Sequence, residues 1–492
     1  MNWLTVTCTI LVILGSLPLW VSMYQFLIIG IHSRRNHYAR TAACYPRVSI
    51  LVPAWNEASV LTSTIKILMN MSYPKDKLRI YVIDDASTDE TPQLMAEKTR
   101  QFPNNVFHLR RENGGQGKAH TLNHGIRLVL EEDWSEAFLI MDADVLFEQN
   151  ALRKMTRHLS DPQVGAVTAY IKEGSRPGNL MTRFIDFEYI TAQAASRRAQ
   201  NVMSFMACLA GGAQLHTRKN LEAIGGAIDT SSLAEDTFTT FKTQLAGHQA
   251  IFDGNAIVWA EEPDNIDGLW KQRLRWARGN WQITKQYWHL WFNKTAHARL
   301  GGFAFGMIWF AILLMPVYMI LAATGLVVLF FSDFAWSWML FRMFWILNVI
   351  VYVFVTLFSL LIDPKSARQS WSAGVLFPGL ISLTVIVLSY FPGALEAVLL
   401  RGQEYQDWRE MGIGTRVAVL FIYSWLALSM VAALLAKCVE KTPLKKLAMP
   451  LLLLSGYGPL LCAITFNSYV AELRGKEMKW DKTEKSGKVE IQ

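Results

Sequence analysis

Apolar residues are spread unevenly along this chain. Residues 4–31 and 302–470 hold long apolar runs, while 46–300 mixes charge with short apolar bursts. Runs of about 18 apolar residues or more are candidate membrane helices. The pattern predicts one span at 4–31 and further spans near 303–331, 336–362, 374–392, 416–436 and 449–470. The first run is too long for a signal peptide, and no basic stretch precedes it. Arg342 falls inside a predicted span, which points to a function or a snorkelling anchor. Pro392-Gly393 interrupts the pattern, and 392–415 reads as a re-entrant or interfacial segment.

Between the apolar runs, strands and helices alternate. Residues 48–52 read as a buried strand followed by Pro53-Ala54-Trp55-Asn56-Glu57. A helix carrying Leu61, Ile65 and Leu68 follows, then a second strand at 78–83 that runs into Asp84-Asp85-Ala86-Ser87-Thr88-Asp89. A helix near 90–101, a short strand at 106–109 and a helix opened by Asn113-Gly114-Gly115-Gln116-Gly117-Lys118 come next. The fourth strand, 137–141, ends in Asp142-Ala143-Asp144. This alternation predicts a mostly parallel α/β sheet with right-handed crossovers, whose strand ends converge on one crevice. Later elements are a strand at 164–170, a long helix at 179–206, a small, Gly-rich stretch at 207–214, a helix beginning at Ser232 and a strand near 256–260. Residues 268–295 read as one tryptophan-rich basic helix suited to a membrane surface.

Charge fixes the expected orientation. The net charge is +8, with basic residues clustered just after residue 31 and in the loops at 363–368 and 437–446. By the positive-inside rule these face the cytoplasm of a cell-membrane protein. The expected divisions are an N-terminal span (1–31), a cytoplasmic domain (32–267), amphipathic interfacial helices (268–300), a bundle of about five spans (301–471) and a charged tail (472–492). Lys and Arg form no dense patch interleaved with aromatics, so nucleic acid is not an expected partner. Five scattered cysteines without C-x-x-C suggest neither a disulfide framework nor a zinc site.

Five polar constellations carry candidate chemistry. Asp142 and Asp144 at a strand tip suit a hard divalent cation, though solvated loop aspartates look the same in sequence. At 84–89 a carboxylate can accept the imide N–H of uracil, and the same residues can cap a helix. The 113–118 loop could cradle phosphates with Lys118 as charge partner; it lacks P-loop spacing, and a flexible turn is the alternative. Glu235-Asp236 could supply a general base, or simply favour a helix dipole. Gln272, Arg275 and Trp276 fall on one helical face, with Arg suited to a diphosphate and indole to a sugar ring.

In order, Val52-Pro53-Ala54-Trp55-Asn56-Glu57, Asp84-Asp85-Ala86-Ser87-Thr88-Asp89, Gly117-Lys118-Ala119, Asp142-Ala143-Asp144, Glu235-Asp236 and Gln272-x-x-Arg275-Trp276 resemble the family 2 membrane glycosyltransferases. Those are the processive synthases of cellulose, chitin, hyaluronan and poly-N-acetylglucosamine. The stretch 268–276 and the closing Trp480-x-Lys-Thr-Glu are most similar to bacterial poly-β-1,6-N-acetylglucosamine synthases, although a single N-terminal span differs from several relatives. The resemblance implies an α/β GT-A fold inserted between transmembrane helices and an inverting transfer from a UDP-sugar. Asp84 and Asp85 would contact uracil, beside Ala54 and Glu57, and Lys118 would lie near the diphosphate. Asp144 with Asp142 would hold Mg²⁺ or Mn²⁺. Asp236, with Glu235, would act on the acceptor hydroxyl. Arg275 would meet the departing UDP, and Trp276 and Gln272 the acceptor sugar. The implied partners are the donor, the growing polysaccharide, the bilayer and a small accessory membrane subunit. The rivals are a non-processive transferase acting on a lipid carrier, and a transporter with a nucleotide-sensing insert. Few ionisable residues line the predicted spans, which speaks against the transporter.

Overall fold

The computed structural model describes residues 2–32, 34, 36–232, 234–476 and 489–491. The Trp480-x-Lys-Thr-Glu motif lies outside them. The chain forms two compact units. One comprises 28–264, 282–302 and the described residues of 477–492, and the other comprises the described residues of 1–27, 265–281 and 303–476.

The first unit is built on an eight-stranded sheet. Its strands are β1 (Val48–Ala54), β2 (Leu78–Asp84), β3 (Val106–Arg110), β4 (Ala137–Met141), β5 (Leu146–Phe147), β6 (Val164–Glu173), β7 (Ala213–Thr217) and β8 (Gln249–Ala260), in the order β3-β2-β1-β4-β7-β6-β8-β5. Strands β1 to β4 are parallel, as the alternation predicts, and β6 runs parallel to β8. β7 is antiparallel to both of its neighbours, and β5 is antiparallel to β8. Successive side chains of a strand face opposite sides of the sheet. Thus Val48, Ile50 and Val52 pack with Leu61, Ile65 and Leu68 of helix Ala58–Met69 on one face. Leu51 packs with Leu122, Ile126 and Val129 of helix Lys118–Glu131 on the other. Strands buried on both faces read as unbroken apolar runs, which is why these were visible in the sequence.

Elsewhere the expectations need correcting. The run at 179–206 is helical only to Met203, with a π-helical turn at Tyr189–Ala195, and Ser204 adopts a left-handed φ of 60°. The tryptophan-rich helix covers Ile266–Gln286, so Trp288 falls in a separate 3-10 turn and Trp291 beyond it.

The second unit is helical; among the described residues, four helices are long and apolar enough to cross a membrane, or up to six if each of two bent pairs counts as one. The run at 4–31 is two helices, Trp3–Gly15 and Leu17–His32. The run at 303–331 is also two, Phe303–Leu313 and Met315–Ser332, where Pro316 sits in the first turn of the second. Proline lacks the N–H that would have continued the ladder. The run at 374–392 becomes Pro364–Leu376 and Leu380–Tyr390, bent by 89°, and the run at 449–470 becomes Lys445–Ser455 and Tyr457–Leu473, bent by 102°. Gly379 (φ +85°) and Gly456 (φ +102°) sit at the two breaks, which pack against each other. A Cβ on Gly379 would stand 2.5 Å from the Gly456 nitrogen, so neither position admits a side chain. Segment 392–415 holds a short helix, Ala394–Leu399, and its Glu396 meets the intrahelical Arg342 at 3.0 Å.

Helix Ile266–Gln286 is moored at two points within this unit. The Glu440 carboxylate accepts from the Ile266 and Asp267 amides at 2.9 and 2.7 Å, capping the helix N-terminus. Arg278 Nε donates to Glu472 at 2.5 Å, and Arg278 Nη2 donates to the Lys476 carbonyl at 2.6 Å.

Candidate active site

The loops that follow β1 and β2 are laced together. The Asp85 amide donates to the Ala54 carbonyl at 2.8 Å. The Asn56 amide donates to Ser87 Oγ (2.9 Å), and Asn56 Oδ1 accepts from the Thr88 amide (2.8 Å). The Glu57 amide donates to Thr91 Oγ1 at 3.1 Å. Asn56 and Ala86 both take left-handed conformations to achieve this. Asp89 accepts from the Ala58 and Thr91 amides, at 3.2 and 2.9 Å. The capping expected from sequence is therefore present, and it serves two helices at once.

Asp84 and Asp85 have different surroundings. Asp84 is fully buried. Its carboxylate accepts from the Ser87 amide at 2.8 Å and lies 3.2 and 3.3 Å from His108 Nε2 and Arg110 Nη1. Burial pushes this carboxyl up, but the bonds from His108 and Ser87 and the Arg110 charge outweigh it and hold it below its ordinary value. Asp84 thus braces β2 against β3 rather than presenting a free edge to a base. Asp85 is 5% exposed, pairs with Arg111 and accepts from the Gly115 amide at 2.9 Å. The 113–118 loop therefore closes over Asp85. A Cβ on Gly114 would fall 2.1 Å from the Asp85 carbonyl oxygen, so the approach requires glycine.

Lys118 links the two acidic motifs. Its Nζ lies 2.5 Å from Asp142 Oδ1 and 3.5 Å from Glu235 Oε1, and donates to the Gly211 carbonyl at 3.2 Å. Burial pushes the ammonium down, yet Asp142 and Glu235 outweigh it and hold it above the usual lysine range. Residues 118, 142 and 235 come from one helix, one strand end and the N-terminus of helix Glu235–Leu245. Both acids of that dipeptide lie in the helix's first turn, where the dipole favours them. Asp236 Oδ1 accepts from the Thr237 amide at 2.7 Å, so Oδ2 is the oxygen left toward Gly211. A Cβ on Gly211 would stand 3.2 Å from Asp236 Oδ2, and one on Gly212 would stand 3.4 Å from Asp142 Oδ2. These glycines floor the gap between the two acidic motifs. Sequence reading noted the Gly-rich stretch but gave it no role. It missed Arg111 altogether, although a basic residue just after a strand that flanks two aspartates was a usable signal.

Asp144 is 8% exposed and borders a cavity of about 360 Å³. The turn behind it is pinned where Thr64 Oγ1 donates to the Ala143 carbonyl at 2.6 Å. Two carboxylates at i and i+2 suit a hard cation that takes its remaining ligands from phosphate and water. Among the described residues no group of three or more His, Cys, Asp or Glu side chains is placed to cage a metal alone. A cation there would have to share its shell with a ligand.

Gln272, Arg275 and Trp276 lie on helix Ile266–Gln286, in the helical unit. There Arg273 Nη1 donates to Gln272 Oε1 at 2.7 Å, and the Arg273 guanidinium stacks 4.0 Å from the Trp276 ring centre. Arg273 was not singled out in sequence, and it fixes the orientation of two residues that were.

A profile described as Glycosyltransferase like family 2 matches residues 46–279. The chain is 32% identical over 244 residues to "Probable glycosyltransferase YdaM" of Bacillus subtilis, covering 49% of this chain and 57% of that one. It is 26% identical over 243 residues to the poly-beta-1,6-N-acetyl-D-glucosamine synthase of Staphylococcus epidermidis (49% and 56%). It is 28% identical over 244 residues to the beta-monoglucosyldiacylglycerol synthase of Synechocystis (50% and 50%). The matched region thus spans about half the length of these relatives. The profile covers the sheet whose strand ends carry Asp85, Asp142 and Asp144, and residues 46–279 are a glycosyltransferase family 2 domain with a GT-A-like fold.

Proposed function

We propose that this protein is a membrane-embedded inverting glycosyltransferase that extends a β-linked polysaccharide from a UDP-sugar and passes it across the bilayer. Poly-N-acetylglucosamine is the first candidate product. The observation that carries the reading is the single ammonium of Lys118 lying between Asp142 and Glu235, with Asp236 beside them. This shared cation supports a single reaction volume for the D-x-D and Glu-Asp motifs, which lie far apart in the sequence.

In this reading Asp85, Ala54 and Glu57 hold the nucleoside, and Asp84 positions Asp85 from behind. Asp142 and Asp144 would hold Mg²⁺ or Mn²⁺, which when bound would offset the charge of the diphosphate leaving group. Asp236 Oδ2 takes the proton of the acceptor hydroxyl. The acceptor's hydroxyl oxygen then bonds to the anomeric carbon as the bond to the diphosphate breaks, in one in-line displacement that inverts the centre and releases UDP. Lys118 keeps the neighbouring carboxylates from repelling the diphosphate. Arg275 meets the departing UDP, and Trp276 and Gln272 receive the acceptor sugar. The domain faces the cytoplasm, on the strength of the basic flanks.

A lipid acceptor receiving one sugar is the second reading, favoured by the similarity to the diacylglycerol glycosyltransferase. Both are tested by supplying purified full-length protein in detergent with radiolabelled UDP-sugars and Mn²⁺. A ladder of long products from UDP-N-acetylglucosamine supports the first, and one lipid-linked band supports the second. Absence of UDP release with every donor overturns both. Asp144→Asn should weaken UDP binding only when metal is present.

A further inference from the structure

The cavity beside Asp144 has a wall that the mechanism above does not use. One side is helix Ala58–Met69 through Val60 and Thr64, and the floor is Asp144 and Leu146. The remaining side is residues 489–491. These three residues belong to the same compact unit as the catalytic sheet. Val489 bridges Ser175 in antiparallel fashion, just past the end of β6, and the Glu490 amide donates to the Gly174 carbonyl at 3.2 Å. Gly174 makes room for this, since a Cβ there would lie 2.7 Å from Val489 Cγ1. A backbone-paired segment seated on a residue without a side chain has a built berth. That berth ends at a carboxylate of the D-x-D motif.

We infer that residues 489–491 are a wall of the donor pocket, and that the site for the nucleotide diphosphate and its cation is incomplete without them. The inference rests on the UDP-sugar reading above. The segment brings its backbone to the cavity that Asp144 borders, where it would limit water around the diphosphate end of the donor. Binding linkage then requires reciprocity. If the seated segment tightens UDP binding, UDP must tighten the seating of the segment by the same factor.

The test compares full-length protein with a chain stopped after residue 488 and with Gly174→Val, which evicts Val489 while keeping the segment. Calorimetry measures UDP binding in the presence of Mn²⁺, and hydrogen exchange reports the Glu490 amide of the full chain. Both variants should bind UDP about tenfold more weakly, with the thermal midpoint of the shortened chain close to that of the full one. UDP with Mn²⁺ should slow exchange at Glu490 by a similar factor. Equal UDP affinity in the shortened chain, or exchange at Glu490 indifferent to UDP, overturns the inference. A lowered thermal midpoint with unchanged UDP affinity also overturns it, by assigning the segment to stability alone. Full-length protein that binds no UDP overturns the donor reading itself, which is a separate result.

Discussion

Lys118→Met is the most informative perturbation of the candidate site. It keeps the length and apolar stem of the side chain and removes only the charge. Asp142 Oδ1 and Glu235 Oε1 then lose the ammonium that lies 2.5 and 3.5 Å from them, and the Gly211 carbonyl loses its donor. Stranding the partners of a buried ion pair costs about 3–5 kcal/mol. Here the side chain of Asp142 is 39% exposed and can recover hydration, whereas that of Glu235 is 17% exposed and recovers little. The lower end, about 3 kcal/mol, is therefore expected. For a domain of this size each kcal/mol moves the thermal midpoint by about 2–4 °C, so the drop should be about 6–12 °C. The second substitution Asp142→Asn in the Lys118→Met background should recover about 1 kcal/mol, because one of the stranded charges is gone. Differential scanning fluorimetry on detergent-held protein reads all of these. A Lys118→Met melt within about 2 °C of wild type refutes the idea that this lysine ties the two acidic motifs together. The contribution has a fixed sign with pH. Lys118 is held above its ordinary range, so its stabilisation is complete at neutral pH and is lost only as strongly alkaline solution deprotonates it.

Other outcomes follow from the same geometry. Asp236→Asn should lower transfer by about 10²–10⁴-fold, the usual worth of a general base, while leaving UDP affinity nearly unchanged; polymer made at the wild-type rate removes Asp236 from that role. Gly211→Ala places a methyl 3.2 Å from Asp236 Oδ2, so kcat should fall without loss of UDP binding, and an unchanged kcat would show that the acceptor hydroxyl approaches from elsewhere. Asp84 is held below its ordinary value, so its contribution to stability persists above the ordinary carboxylate range and is lost as pH falls below about 4. The acid limb of a melting-temperature profile should therefore flatten in Asp84→Asn, and an identical limb would deny Asp84 its bracing role.

How much of this was legible beforehand depended on the kind of signal each residue leaves. β1, β2 and β4 stood out because both of their faces are covered by helices, so their apolar runs are continuous. β5, with two residues, and the antiparallel β7 leave no such run. The bends at Gly379 and Gly456 were missed because a lone glycine in an apolar run is usually absorbed by a helix. What makes these two different is their contact with each other, and no local pattern records that. In the candidate site, motif order placed the acids correctly at strand ends and helix starts. It did not reveal which carboxylates already have protein partners. Asp84 looked equivalent to Asp85 until His108 and Arg110, more than twenty residues away, were seen to claim it.

The two moorings on helix Ile266–Gln286 bear on how many times the chain passes through lipid. Glu440 and Glu472 stand at either side of the bent pair Lys445–Ser455 and Tyr457–Leu473, and both hold this one helix. Their anchor points, Ile266 and Arg278, are twelve residues apart, or about 18 Å at 1.5 Å per residue. That is well short of the ~30 Å of hydrocarbon, so the two ends of the pair are held closer together than one crossing requires. A pair that enters and returns on one face adds no crossing to the chain's count. An impermeant maleimide should then reach native Cys438 and an introduced Lys476→Cys from the same side of sealed vesicles; labelling from opposite sides would make the pair a crossing.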